Sequence, residues 1–279
     1  MIHIISDTST LYSRDEAVEA GFEVSPLTVT IGGETFAEFE DISSDRFLNL
    51  IAEGNIPTSS QPPIGSVVEL YEKYPNDTIL NIAMADGLSG TYRTAVAAAN
   101  MCENKDNITV INSKTLCGPH KHMVEAAVQM VKNGETLETI IAKLNEKIKS
   151  AKSFLIPADF AYLRRGGRLS PAVSYVGQIT KFAPIMTQNP DGTQLVALGV
   201  KRSFKHAVEH IAGILERKYN GSQWKVYVSH AGVRDKAEKA LEMLKAKLPN
   251  NVFEIIELSP AFITQGGPGC VAIQAICTA

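Results

Sequence analysis

The chain carries none of the long apolar runs that a spanning helix requires, about 20 consecutive residues, so stable membrane insertion is not expected. Its first residues, Met1-Ile2-His3-Ile4-Ile5-Ser6-Asp7, lack the basic stretch followed by a long apolar stretch that marks a secretory leader. It also lacks an excess of positive charge. Lys and Arg number 27 against 30 Asp and Glu, a formal net charge of -3, so no general basic field would gather nucleic acid or an anionic membrane. The cysteines Cys102, Cys117, Cys270 and Cys277 form no CxxC pair. With no secretory leader expected, they read as reduced thiols in a cytoplasm.

Enzyme signatures are missing too. There is no G-x-x-x-x-G-K-[ST] loop to cradle a nucleotide phosphate. Gly87-Leu88-Ser89-Gly90-Thr91 approaches the hydrolase elbow G-x-S-x-G, but threonine occupies the fifth place. Gly267-Pro268-Gly269-Cys270-Val271-Ala272 fits the dinucleotide pattern in spelling only, since neither a following helix nor a later acidic residue is available. His206 and His210 could share a helix face, and His120 and His122 lie close in sequence. No third metal ligand accompanies either pair, and a solvated helix face is the plainer account. His230, at the end of an expected strand, could serve as a base or simply pack.

What is present is an ordinary globular chain of 279 residues, 44% apolar and 20% charged, long enough for two domains. Apolar runs alternate with helical patterns almost throughout, which predicts α/β architecture. Strands are expected at 2–5, 78–83, 108–112, 153–157, 225–229, 252–258 and 270–277. Residues 24–31 read as one extended run before a Gly32-Gly33 turn, and 178–187 and 194–200 as apolar segments around a turn at 189–192. Helices are expected after the caps Ser13 and Ser43 or Ser44, and at 65–74, from Ser89 to about 101, and at 123–132, 136–148, 204–218 and 234–248. Residues 58–63 read as a polar, proline-bounded loop. The alternation restarts after Ser150, so the expected domains are 1–150, carrying the hydroxyl-rich loops, and 151–279, carrying an arginine–glycine loop.

Those loops hold the candidate site. Asp7-Thr8-Ser9-Thr10 follows the first strand, where open α/β sheets face their ligands; capping a turn is the alternative. Ser59-Ser60-Gln61-Pro62 precedes a helix and Ser89-Gly90-Thr91-Tyr92 opens one. Hydroxyls placed there can join free backbone N–H groups in holding an anion. Leu163-Arg164-Arg165-Gly166-Gly167-Arg168-Leu169-Ser170 sets three guanidinium forks, suited to carboxylate or phosphate, around glycines that permit close approach.

In this order the motifs resemble those of the DegV family, whose characterised members are bacterial fatty-acid-binding proteins. Ser6-Asp7-Thr8-Ser9 is similar to the family's T-D-S-T, and Thr58-Ser59-Ser60-Gln61-Pro62 to its T-S-Q-P. Gly87-Leu88-Ser89-Gly90-Thr91-Tyr92 matches G-L-S-G-T-Y in full. Leu163 to Ser170 resembles L-x-x-G-G-R-[IL]-S, and Gly267-Pro268-Gly269 the late G-P-G. The resemblance implies two α/β domains with an acyl-chain pocket at or near their interface, no cofactor, and no catalysis by the chain itself. It implies a long-chain fatty acid held through its carboxylate by Ser59 and Ser89. Gln265 stands where the family usually has a histidine; its amide can donate but cannot become cationic. Arg168 would place the head group or its phosphorylated form, with Thr58, Ser60, Thr91, Asp7 and Thr8 as further ligand or phosphate candidates. The implied partner is a separate ATP-dependent fatty acid kinase, which Arg164 and Arg165 would meet, and which forms an acyl phosphate for phospholipid synthesis. Two other readings are a stand-alone hydrolase or small-molecule kinase using Ser89, and an interaction module with a structural lipid.

Overall fold

The structure is a computed structural model that describes residues 1–170, 182–218 and 222–278. The first part of the apolar segment expected at 178–187 lies outside them. The chain begins with strand β1 (Ile2–Asp7), a 3-10 turn (Thr8–Thr10), helix α1 (Arg14–Ala20), β2 (Glu23–Ser25), β3 (Thr28–Ile31), β4 (Glu34–Ala37), α2 (Ser44–Ala52), β5 (Thr58–Ser60), α3 (Ile64–Glu72), β6 (Thr78–Ala83), α4 (Thr91–Met101) and β7 (Ile108–Asn112). It continues through α5 (Cys117–Lys132), α6 (Leu137–Ser150), β8 (Lys152–Ile156), α7 (Phe160–Gly166), β9 (Ala183–Gln188), β10 (Leu195–Lys201), α8 (Phe204–Lys218), β11 (Trp224–His230), α9 (Arg234–Lys247), β12 (Val252–Glu257), α10 (Pro260–Gly266) and β13 (Val271–Cys277).

The first sheet is parallel, in the order β2-β1-β6-β7. Side chains alternate across a strand: Ile4 joins a core with α1, α5 and α6, while Ile5 joins one with α3 and α4. Both faces are covered, which is why these strands read as unbroken apolar runs. The second sheet is mixed, in the order β10-β9-β8-β13-β11-β12. Phe154, Ile156, Val271, Ile273 and Ala275 point from it to α8 and α9. From its other face Tyr227 and Ile276 pack against Met123 and Val124 of α5. Helix α5 therefore touches both sheets, while α6 packs on α5 and β13.

Gly118 marks how close that packing is. A Cβ placed on it would lie 2.2 Å from Cγ of the Tyr227 ring, and its N–H donates to Gln274 Oε1 at 3.3 Å.

Local signals predicted much of this. Ser13 forms a full capping box with Glu16 and Gly21 closes α1 in the left-handed region, φ 98°; Ser43 caps α2 and Thr136 caps α6. Two expectations are corrected. The extended run at 24–31 is two strands in different sheets, because Pro26 fixes φ and has no N–H to continue a ladder. The polar loop at 58–63 begins with a strand: β5 lies antiparallel on β3, with Ser59 opposite Val29. A small sheet, β4-β3-β5, results. Its inner residues Val29 and Ile31 meet α2 through Phe47 and Ile51, and α10 through Ala261 and Ile263.

Candidate functional site

Four separate segments meet at one place, and the small residues between them explain how. The loop after β6 approaches the segment between β5 and α3 at Gly90, where a Cβ would lie 2.4 Å from Gln61 Oε1. The end of α7 approaches α10 at Gly166, where a Cβ would lie 2.1 Å from Gln265 Oε1. Gly167 then turns the chain with φ 69°, a left-handed conformation costly for other residues. The expected arginine loop is thus the last turn of α7 followed by a tight turn, rather than a loop throughout.

These contacts build a polar cavity lined by Ser59, Ser60, Gln61, Ser89, Arg168 and Gln265, with Leu27, Met84, Leu88, Ala261 and Phe262. Gln265 Nε2 donates to Ser59 Oγ at 2.9 Å. Ser89 and Thr91 share a hydroxyl contact of 2.8 Å, and the Thr91 N–H reaches Ser89 Oγ at 3.3 Å beside the start of α4. Arg168 donates through Nε to Leu88 O at 3.1 Å and through Nη1 to Gly166 O at 2.6 Å. Burial pulls its pKa below the ordinary value, yet a guanidinium keeps its charge. Beside this cavity lies a second polar one, lined by Thr58, Ser59, Tyr162, Arg165, Arg168 and Gln265 among others. Arg165 sits over the Tyr162 ring at 4.3 Å.

A third cavity is apolar. Its space, open mouth included, amounts to about 750 Å³. Met84, Leu88, Leu116 and Cys117 come to it from the first half of the chain, and Leu155, Leu163, Met186, Phe262 and Ala272 from the second. Ser153, Thr187 and Gln274 in its wall are tied to one another: Gln274 Nε2 donates to Ser153 Oγ at 2.9 Å and Leu116 O at 3.0 Å, and the Thr187 hydroxyl to Ser153 O at 2.9 Å. Met84, Leu88, Arg168, Phe262 and Gln265 also line the first polar cavity. Apolar slot and polar mouth therefore lie side by side with these walls in common, and Arg168 and Gln265 border all three cavities.

Of the residues singled out in the sequence, Thr58, Ser59, Ser60, Ser89, Arg165, Arg168 and Gln265 are brought together here. Thr91 is buried and supports Ser89. Arg164 lines none of the three cavities. Asp7 and Thr8 are also set apart: Asp7 accepts the N–H groups of Ser9 and Met84, both at 3.0 Å, and so caps the 3-10 turn, while Thr8 donates to the buried Glu38. His120 and His122 do not lie on a solvated face. His120 is fully buried, with Ser9 Oγ at 2.6 Å from Nδ1 and Ile82 O at 2.9 Å from Nε2, and burial pushes His122 down to about 4. His206 contacts Arg202 and Ser203, and no metal-holding cluster occurs among the described residues. His230 is buried at the end of β11 and lines none of the cavities.

The slot itself, Tyr162 and Phe262 escaped sequence reasoning. The only advance signal was the alternation in β8 and β13, whose second face carries Leu155 and Ala272.

Among the described residues no helix is long and apolar enough to cross a membrane. A family model described as an uncharacterised protein of the DegV family matches residues 1–278. The chain is 33% identical over 279 residues to a DegV domain-containing protein of Listeria monocytogenes, covering 98% of this chain and 97% of that one. It is similar to the crystal structure of DegV, a fatty acid binding protein from Bacillus subtilis, with TM-score 0.88, 29% identity and 99% of both chains covered. It is similar also to a DegV family protein from Thermus thermophilus described by its fatty acid binding, with TM-score 0.90, 25% identity and 99% of both chains covered.

Proposed function

This chain belongs to the DegV family, and from that premise we propose that it binds a long-chain fatty acid. The acyl chain occupies the apolar slot and the carboxylate lies in the polar mouth, held by Ser59, Ser89 and Gln265 with the positive charge of Arg168 alongside. The observation that carries this reading is that the apolar and polar spaces adjoin, sharing Met84, Leu88, Arg168, Phe262 and Gln265 as walls. Burying a chain contributes roughly 0.8 kcal/mol per CH₂, so the slot supplies most of the affinity and the few polar groups set orientation. Native mass spectrometry of gently purified protein tests it: a stoichiometric species of fatty-acid mass is expected. Empty protein that added lipid does not stabilise would overturn the reading.

The finer proposal is presentation. The protein offers the exposed end of its ligand to a separate ATP-dependent fatty acid kinase in the cytoplasm, and the acyl phosphate formed supplies phospholipid synthesis. The second polar cavity, with Thr58, Arg165 and Arg168, suits a phosphoryl group, and Arg164 and Arg165 on α7 would meet the kinase. The chain itself catalyses nothing in this scheme. The contacts of Ser89 are with Thr91, which supports an anion-holding hydroxyl over an activated nucleophile. We place the division between the two domains after Ser150.

Two measurements address these roles. Ser89→Ala should weaken a fatty acid by about 10-fold, in keeping with a hydrogen bond to a charged group, and its methyl ester far less; equal loss for both would remove Ser89 from the carboxylate site. Arg168→Ala should lower kinase-dependent acyl phosphate formation by at least about tenfold, as expected when a charge-assisted contact to a phosphoryl group is lost. Unchanged turnover would remove Arg168 from that step.

A further inference from the structure

Glu38 is fully buried and lines none of the three cavities, yet it is bonded to two of the walls around the polar mouth. Its N–H donates to Leu27 O at 3.0 Å. The Leu27 N–H in turn donates to the Thr8 hydroxyl at 2.9 Å, and that hydroxyl donates to Glu38 Oε1. The other carboxylate oxygen accepts the Ala261 N–H at 3.0 Å. Leu27 and Ala261 both line the mouth. Ala261 opens the short helix α10, which carries Phe262 into the slot and Gln265 to Ser59.

From this arrangement we propose that Glu38 is a positioning residue for head-group recognition: by tying Leu27 and Thr8 to the start of α10 it sets the distance between Gln265 and Ser59. The inference rests on the carboxylate reading of the mouth.

A neutral residue would be the easier choice for such a buried tie. The groups that face Glu38 are the Thr8 hydroxyl, Ser259, the Ala261 N–H, the Asp7 carboxylate at the end of β1 and the Cys117 thiol of α5. None is a cation. Burial first, with Asp7 adding to it, pushes the Glu38 carboxyl up to about 7 from an ordinary 4.5. An acid raised in this way contributes stability that is fully present below the unfolded value and lost as pH rises through about 7. Above pH 7 the ionised side chain therefore costs the fold stability, while it supplies acceptors to both ties at once.

Positioning and simple support of the fold consequently predict different results for Glu38→Gln. At pH 8 the variant should melt at or above the wild-type temperature, because no charge is buried. It should nevertheless bind a long-chain fatty acid about tenfold more weakly, since the amide offers the Thr8 hydroxyl no second acceptor oxygen, and its methyl ester less than about threefold more weakly. In a Gln265→Ala background the added loss should vanish, as coupled residues in one network are non-additive. Thr8→Val removes the same contact from the opposite side and must reproduce the binding pattern, a larger loss for the acid than for its ester. Unchanged fatty-acid affinity, equal loss for acid and ester, or additivity with Gln265→Ala would overturn the inference. A wild-type protein that binds no long-chain acid would instead overturn the functional reading on which it rests.

Discussion

Replacing Ala272 with tryptophan will lower the affinity for a long saturated acid such as palmitate by at least about 200-fold and leave the affinity for short acids nearly unchanged. Ala272 lies on β13, opposite Leu155 of β8, and both line the apolar slot. An indole in place of its methyl group would occupy the path of the acyl chain. Each excluded methylene removes about 0.8 kcal/mol, so the loss of four or so amounts to about 3 kcal/mol, a factor of about 200. Titrating a series of saturated acids of increasing length checks this. The wild-type affinity should climb steadily with length, and that of the variant should level off. The Ala272 side chain points away from the core beneath α8 and α9, where Ile273 and Ala275 lie, so the fold should survive and circular dichroism should match the wild type. Parallel length series for the two proteins would mean that the chain does not lie in this slot.

The second large effect concerns stability. Gly118→Ala is expected to cost about 2–3 kcal/mol, the upper range for forcing extra volume into a packed core, and to lower Tm by about 4–12 °C for a protein of this size. The new methyl group would meet three Tyr227 atoms, Cγ at 2.2 Å, Cδ2 at 2.4 Å and Cβ at 2.6 Å. Tyr227 is fully buried and belongs to a central strand of the second sheet, between β12 and β13, so neither partner has free space to enter. Gly65→Ala is the control. Nothing lies within 4 Å of that position, and in helix α3 alanine should be neutral or stabilising by up to about 1 kcal/mol. Shortening Tyr227 to leucine should return part of the stability lost in Gly118→Ala. A Gly118→Ala protein that melts like wild type would show that α5 does not approach β11 this closely. The same contact bears on the ligand site. The residues just before Gly118, Leu116 and Cys117, form part of the slot wall, so the variant should also bind fatty acids more weakly even at temperatures where it is fully folded.

Much of the framework was legible in the sequence because its signals are local. The strands at 78–83 and 108–112 have the bounds expected from their apolar runs, since both faces of a parallel sheet are covered. Ser13 with Glu16, and Thr136, mark helix starts because a cap needs only the residues beside it. The ordered motifs around Ser59, Ser89, Arg168 and Gln265 are local too, and the fold brings those segments around one cavity.

Other features are decided by partners distant in the chain. Thr58–Ser60 has no apolar signal, and it is a strand only because β3 presents an open edge to it. Helix α10 carries too short a pattern to be predicted, and it is held where it stands by Glu38 and by the inner residues of the small sheet. The pairing of Gln265 with Ser59 spans 206 positions. The slot has no local mark beyond the alternation in β8 and β13, because it is the space left between two halves of the chain and its walls read as ordinary core. The sequence by itself thus determined the class of fold, the family, and the polar residues able to hold an anion. Only the tertiary structure decided that Ser59, Ser89, Arg168 and Gln265 border one polar cavity, that an apolar slot adjoins it, and that Asp7 and Thr8 serve the frame instead. The physical reason is range: periodicity and capping act over a few residues, whereas a cavity is defined by the packing of segments that meet only when the chain is folded.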